Sequence, residues 1–317
     1  MRVTSTLDSV LTPTAVALGN FDGVHQGHRQ VICPISQSAH LAEDVVKTVV
    51  TFNPHPQEFF SGQSRCLLTP LDEKVAQLAD MGVEQLVLLP FDRELARLTP
   101  EQFVATILVQ GLQAKQISVG QDFCFGRGRT GTAADLQVIA ATYGVDVTIA
   151  ALKCLDDRRI SSSGIRQALL EGDIQTANSL LGRSYSLVGQ VVQGQQVGRT
   201  LGFPTANLQL PAEKFLPCLG VYAVRVQICD RLDGYLRCET PLLPGVMNLG
   251  NRPTVDGTRL TPEVHLFDWT GDVYDKILAV HLDTFIRKEQ KFTSLEQLKT
   301  QIHHDCDVAR SLLGDFQ

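Results

Sequence analysis

The stretch GNFDGVHQGHRQ (19–30) sets two of the eight histidines, His25 and His28, three positions apart, behind a glycine bend and ahead of Arg29. A helix that starts near Gly27 brings imidazoles at i and i+3 to the same side. It also points unpaired N–H groups and the positive end of its dipole at whatever sits before it. Gly23 allows a tight turn, and Gly27 lets a backbone or a phosphate come close. Such donors suit nucleotidyl transfer, in which an attacked α-phosphate gains charge and is stabilised by groups that fit that state better than the ground state. Two plainer readings stay open: a zinc pair completed by Asp22, or two histidines on a helix surface.

A second stretch, GQVVQGQQVGRTLGFPTANL (189–208), carries Gly194, Gly198 and Gly202 in a loop with Arg199, then Thr205 and Asn207. Residues two apart in an extended segment share a face, so Thr205 and Asn207 present neutral oxygens side by side. Magnesium takes few protein oxygens and completes its shell with water and nucleotide phosphates, so this pair is an adequate holder. A Pro-Thr turn ending in Asn is the alternative. The chain contains no Gly-Lys dipeptide, so phosphoryl transfer by a G-x-x-x-x-G-K-[ST] loop is excluded. PEVHLFDW (262–269) reads as a strand with Glu263, His265, Phe267 and Trp269 on one face.

The elements that must position these residues fall into two halves. Apolar runs at 14–19, 45–52, 85–90, 115–120 and 145–152 alternate with helical patterns, which implies βαβ units and a parallel, Rossmann-like sheet. Thr69-Pro70 and Thr99-Pro100 read as helix starts, Gln102 closes a capping box, and Gly82 and Gly111 read as stops. The pattern over 161–182 breaks at Gly172-Asp173 and suggests two short helices. Beyond it, short β-rich runs separated by Gly, Pro, Asn and Asp predict a small antiparallel barrel. A last helix over 294–313, with Thr293 as N-cap and Glu296 in the box position, packs on it. The fold class is therefore α/β plus a β-barrel, with the boundary near residue 184.

The 317 residues suffice for two cores, and 44% apolar with 20% charged residues is a globular composition. Net charge −6 and a pI of about 5.7 offer no basic field for nucleic acid. No apolar run reaches the roughly 18 residues of a membrane span. Eight cysteines without a C-x-x-C pair, behind an N-terminus lacking a secretion pattern, lead to the expectation of a cytoplasmic protein. A monomer or weak homo-oligomer is expected.

Several blocks, in order along nearly the whole chain, resemble the bacterial bifunctional riboflavin kinase/FAD synthetase family. GNFDGVHQGH resembles its nucleotidyltransferase signature. VVTFNPHPQEFF (49–60), VGQDFCFGRGRTG (119–131) and ISSSGIRQALLEGD (160–173) resemble its following blocks, and 189–208 resembles its flavokinase signature. The resemblance implies an FMN adenylyltransferase domain over 1–183 and a riboflavin kinase domain over 184–317. It implies riboflavin, FMN and ATP as small-molecule substrates, FAD as product, and Mg²⁺ with ATP. It makes His25 and His28 the phosphate-stabilising histidines and places Gly19, Asn20, Phe21, Asp22 and Gly23 in the nucleotide loop. His55 falls in a block at the flavin-phosphate and ATP site. Phe60 and Phe125 match rings that flank the isoalloxazine, with Asp122 near its polar edge. Ser162, Ser163 and Arg166 match the grip on the β- and γ-phosphates of ATP. Gly194, Gly198, Arg199 and Gly202 match the flavokinase loop, Thr205 and Asn207 its Mg²⁺ holders, and Glu263 the base for the ribityl 5′-hydroxyl. Arg252, with Asn251, lies in a further block, and TFIRKEQKF (284–292) matches a basic segment near the flavin.

Plainer readings accompany these: core packing for Phe60 and Phe125, serine caps for 162–163 with a solvent-facing Arg166, an exposed glutamate for Glu263, a solvated charge run for 284–292. Ser163 stands where the family usually has Thr, and Gly164 where Arg is common. A sensor without turnover, or an enzyme keeping one activity, would be expected to lack the histidine pair or Glu263, and both are present.

Overall fold

The computed structural model describes residues 1–37, 42–155, 158–193, 202–254 and 257–314. The chain forms two compact units, Met1–Arg65 with Lys74–Ser161, and Cys66–Glu73 with Ser162–Gln317.

The first unit is built on strands β1 (Arg2–Thr4), β2 (Thr14–Leu18), β3 (Val46–Asn53), β4 (Gln85–Pro90) and β5 (Ala114–Gly120). It continues through a short hairpin, β6 (Cys124–Phe125) with β7 (Gly131–Thr132), to β8 (Asp146–Ala150), then a second hairpin, β9 (Cys154–Leu155) with β10 (Arg158–Arg159). β1, β2, β3, β4, β5 and β8 form one parallel sheet in the order β1-β4-β3-β2-β5-β8. The chain leaves β2 for β3 on one side and later returns to its other side as β5. This order reversal puts the loop after β2 at the switch point where open parallel sheets bind ligands. The five apolar runs of the sequence are β2, β3, β4, β5 and β8. β1 is an added edge strand too short to read from pattern.

Helices α1 (Gln26–Gln37), α2 (Pro56–Ser61), α3 (Leu71–Asp80), α4 (Pro100–Gln102) and α5 (Ala133–Ala141) join these strands. α3 starts at Leu71, one residue after the expected first helical Pro70. Thr99 caps α4 with Gln102 in the box, as the spacing predicts. Phe103–Gly111 then continues as a π-helix. Within it, Thr106 Oγ1 donates to the Gln102 carbonyl at 2.6 Å. The helix ends at Gly111 as expected, and the left-handed residue beyond it is Gln113, φ +46°.

The second unit holds α6 (Ser162–Glu171) and α7 (Ile174–Leu181), parted at Gly172-Asp173 as expected, and a closed barrel. Its strands are β11 (Ser186–Val192), β12 (Ala206–Gln209), β13 (Gly220–Cys229), β14 (Leu243–Thr254), β15 (Gly257–Leu266) and β16 (Ile277–Lys288). They pair antiparallel in the order β11-β12-β15-β14-β13-β16. α8 (Leu295–Leu313) buries Cys306, Ala309 and Leu313 against Phe203, Val221, Val246 and Phe267. Its N-cap is Ser294, whose extended backbone lets the hydroxyl accept from the Gln297 N–H at 3.2 Å. Thr293 lies one residue too early and binds the Gln297 side chain instead. β15 ends at Leu266, because Asp268 takes φ +55°. Phe267 still follows His265 on the same face, their rings 5.8 Å apart, and packs under α8, whereas Trp269 lies beyond the strand and leaves the row.

The segment 66–73 is anchored within this unit by one ion pair. Lys214 Nζ lies 2.6 Å from Glu73 Oε2, donates to the Leu68 carbonyl at 2.9 Å and sits 4.7 Å above the Tyr185 ring. Both charges are buried, and removing one partner of such a pair costs far more than the pair itself contributes. Lys214→Met is expected to lower unfolding free energy by about 3–5 kcal/mol in denaturant titration.

Candidate active sites

The loop after β2 carries three backbone angles that L-residues or the chain in general rarely adopt: Phe21 at φ +48°, Gly23 at +91° and Val24 at +42°. Strain of this kind persists where the surroundings fix it, and it concentrates at functional sites. The Phe21 and Val24 side chains provide the anchorage, since both are buried in the core under β2. The loop delivers His25 to the start of α1, where its Nδ1 accepts from the His28 N–H at 3.2 Å. A neutral His25 ring therefore carries its proton on Nε2. The two imidazoles stack, centroids 3.6 Å apart and 15° from parallel, and the Phe21 ring meets His28 edge-on at 5.3 Å. A Cβ at Gly27 would stand 3.2 Å from the His25 ring, so glycine is what permits this stack.

Behind the loop, the Asn20 carbonyl accepts from Lys74 Nζ at 3.1 Å and Thr51 Oγ1 at 3.2 Å. Burial pulls the Lys74 ammonium below its ordinary range, and the buried Asp22 carboxylate opposes that shift. His55 caps α2: its Nδ1 accepts from the Gln57 N–H at 3.0 Å, and its own N–H donates to Glu58 at 3.0 Å. Arg65 Nη1 lies 3.0 Å from His55 Nε2. Burial first, then this guanidinium, lower the imidazole to about 4. The fold thus favours neutral His55. Its contribution is complete above the ordinary value of 6.5 and is lost as pH falls through about 4. Thermal unfolding followed from pH 7 downward is expected to show wild type losing more stability than His55→Gln in that window.

Phe60 is 73% exposed and packs edge-on against Phe59 and Phe91 at 5.2 and 5.9 Å. Phe125 is in the core, 5% exposed, with Phe103 5.5 Å away and the half-buried Phe123 stacked on it at 5.8 Å. Asp122 is exposed and paired with Arg159. In the second unit, Ser162 and Ser163 open α6. Arg166, one turn on, donates to the carbonyls of Ser162 and Cys66 at 3.4 and 3.0 Å and lies 5.4 Å over the Phe215 ring.

The barrel gathers the second set. Glu263 on β15 is the direct partner of Asn207 on β12 and of Asn248 on β14. Opposed residues in antiparallel pairs share a face, so three polar side chains stand in a row across three strands. Thr205, two residues before Asn207, and Glu263 line one cavity of ≈320 Å³ with Phe203, Asn248, His265 and Arg287. His265 donates from Nδ1 to the Pro204 carbonyl at 2.8 Å, which fixes its tautomer. Arg287 is tied to Asp305 of α8 by two contacts of 2.8 and 2.6 Å, and Glu289 and Phe292 reach the same cavity. Arg287, Glu289, Gln290 and Phe292 thus help wall this cavity, while Lys288, Glu289, Gln290 and Lys291 are exposed to solvent, so both readings of 284–292 hold in part. Asn207 is 6% exposed, and its Oδ1 has no hydrogen-bond partner among the described residues. A second cavity of ≈320 Å³ adjoins at Thr205, lined by Pro204, Trp269, Thr270, Gly271 and Tyr274.

Gly202, φ +93°, leads into Phe203. Gly194, Gly198 and Arg199 lie outside the described residues, as does the side chain of Arg252, whose backbone is on β14. Among the described residues, no three His, Cys, Asp or Glu side chains gather to hold a metal ion, so the zinc reading of His25 and His28 finds no third ligand there.

Family models match the two halves separately: FAD synthetase over residues 7–164 and riboflavin kinase over 181–313. The "Bifunctional riboflavin kinase/FMN adenylyltransferase" of Escherichia coli (strain K12) is 41% identical over 300 residues, covering 94% of this chain and 92% of that protein. The chain belongs to the bifunctional riboflavin kinase/FAD synthetase family. Its members from Haemophilus influenzae and Bacillus subtilis are 38% and 35% identical, over 96% and 92% of this chain and 96% and 90% of theirs. A crystal structure of a Streptococcus pneumoniae protein described as a macrolide-efflux protein is 32% identical, with a TM-score of 0.81 over 97% of both chains. That description applies to that protein. Among the described residues of this family member, no helix is long and apolar enough to cross a membrane.

Three features of this family member escaped sequence reading. Lys74 sits inside an ordinary amphipathic helix pattern, and only the structure shows its ammonium on the Asn20 carbonyl. Asn248 joins the Glu263 row through strand register, which local pattern does not encode. The second cavity uses WTGDVY (269–274), of which the sequence places Trp269 at the end of a strand and marks no other residue for a site.

Proposed function

We propose that the chain makes FAD from riboflavin in two steps at two sites, with the division of activities near residue 184. In the barrel, Glu263 accepts the proton of the riboflavin 5′-hydroxyl, whose oxygen attacks the γ-phosphate of ATP to give FMN and ADP. The observation that carries this is the row Asn207–Glu263–Asn248 beside Thr205, at the meeting of two cavities. One cavity, walled by Phe203 and Phe292, suits a flat flavin ring, and its neighbour beyond Thr205 suits the nucleotide. Asn207 Oδ1, a buried neutral oxygen without a partner among the described residues, fits a hard cation, so Asn207 and Thr205 are the residues that would hold Mg²⁺. When bound, that ion would offset the negative charge of the nucleotide phosphates. Gly194, Gly198, Arg199 and Gly202 are assigned to the phosphate loop, and Arg252 to the same half.

In the first half, a phosphate oxygen of FMN attacks the α-phosphate of a second ATP and pyrophosphate leaves. His25 Nε2–H and the ring stacked on it donate to the charge that develops, and the loop 19–23 holds the nucleotide. Phe60 offers an exposed ring to a flavin, with Asp122 and His55 assigned to the same substrates. Phe125 acts from behind, through Phe123. Ser162, Ser163 and Arg166 are assigned to the β- and γ-phosphates. The protein is expected to work in the cytoplasm as a monomer or weak homo-oligomer.

Incubation of the purified chain with riboflavin, ATP and Mg²⁺, resolved by chromatography, tests this. FMN followed by FAD is the expected result. FMN alone would leave a kinase, and bound but unchanged riboflavin would leave a sensor.

A further inference from the structure

We propose that Lys74 is a positioning residue of the adenylyl-transfer site, acting through the Asn20–Phe21 peptide. The inference rests on the adenylyl transfer proposed above for the first half. The Asn20 carbonyl receives both the Lys74 ammonium at 3.1 Å and the Thr51 hydroxyl at 3.2 Å, so that peptide cannot rotate. In a trans peptide the N–H points opposite to the C=O, which aims the Phe21 N–H away from Lys74 and Thr51. That N–H has no hydrogen-bond partner among the described residues, although Phe21 is itself 1% exposed. A buried donor left unpaired is costly unless something else uses it. It lies four residues before His25, in the loop whose φ angles of +48°, +91° and +42° are held by burial. A carbonyl that accepts from a cation strengthens the donor at the other end of its peptide. Lys74 thereby orients and polarises one N–H for a phosphate oxygen, while Asp22 balances its charge.

The position of Lys74 supports this role. It lies on α3, 8% exposed, with its charge spent on a main-chain oxygen. A lysine serving only to cover core surface would extend its ammonium to water.

The test uses the full chain, with FMN adenylylation and riboflavin phosphorylation measured separately while ATP is varied. Lys74→Met is expected to lower kcat for FAD formation by about 100-fold, the scale of losing one oriented oxyanion donor, with KM for ATP changing much less. Lys74→Arg, which keeps charge and donors, is expected to recover most of that loss. Riboflavin phosphorylation by both variants should stay within about two-fold of wild type. Thr51→Val removes the second donor to the same carbonyl without touching Lys74, and is expected to lower kcat for FAD formation by roughly ten-fold. If Lys74→Met proves unfolded, Thr51→Val decides. Wild-type kcat in the folded Lys74→Met chain overturns the proposal, as does wild-type kcat in Thr51→Val. Equal loss in folded Lys74→Met and Lys74→Arg overturns it too. Absence of FAD formation by wild type would instead overturn the adenylyl-transfer reading on which it stands.

Discussion

Glu263→Ala is expected to reduce riboflavin phosphorylation by about 10²–10⁴-fold, the usual contribution of a positioned general base. Conversion of added FMN to FAD should remain near wild type. The basis is local. Glu263 stands between Asn207 and Asn248 on paired strands and shares its cavity with Thr205. A shortened side chain leaves the barrel hydrogen bonds in place and removes only the oxygen that would take the hydroxyl proton. Glu263→Gln separates the two properties of that side chain: it keeps shape and one acceptor but loses basicity, so it should be nearly as slow as alanine. A glutamine variant with wild-type kcat would show that Glu263 serves only to orient the substrate.

The reciprocal result is expected from replacing His25 and His28 together by alanine. FAD formation from FMN should fall by at least about 10²-fold, the effect of losing one preorganised donor, while FMN formation continues. The rings are stacked at 3.6 Å and His25 also caps α1 through its Nδ1. Single replacements therefore disturb one another and will not add. His25→Asn is an informative companion, because asparagine is a strong helix cap and restores that function without the ring. If His25→Asn were as active as wild type, capping and not donation would be the role of that histidine. Should the double variant impair both reactions equally in a folded chain, two separate sites would be untenable.

Much of this was legible in the sequence. The apolar runs located five strands of the parallel sheet within a residue or two, because strands buried on both faces leave continuous hydrophobic stretches. The Thr99 cap was legible because a capping box is a local pattern, read from four residues. Failures came where the deciding contact was not local. Ser294 displaced Thr293 as cap by the turn of a single extended residue, and the helix expected after Thr99 runs as a π-helix over Phe103–Gly111. The row of Glu263, His265, Phe267 and Trp269 failed at Asp268, whose left-handed backbone ended the alternation. At the sites, Glu263, Thr205 and Asn207 could be suspected from motif, but their assembly depends on barrel register. Lys74 gave no sequence signal, since its target is main chain.

The pairing of Asn207, Glu263 and Asn248 has a bearing on how such a barrel can change over time. Inserting or deleting one residue within β12, β14 or β15 would send every later side chain of that strand to the opposite surface and scatter the trio. Insertions between strands carry no such penalty. Lineages of this protein should therefore differ freely in the lengths of their connecting loops, while the three staves that carry the trio keep a fixed count of residues.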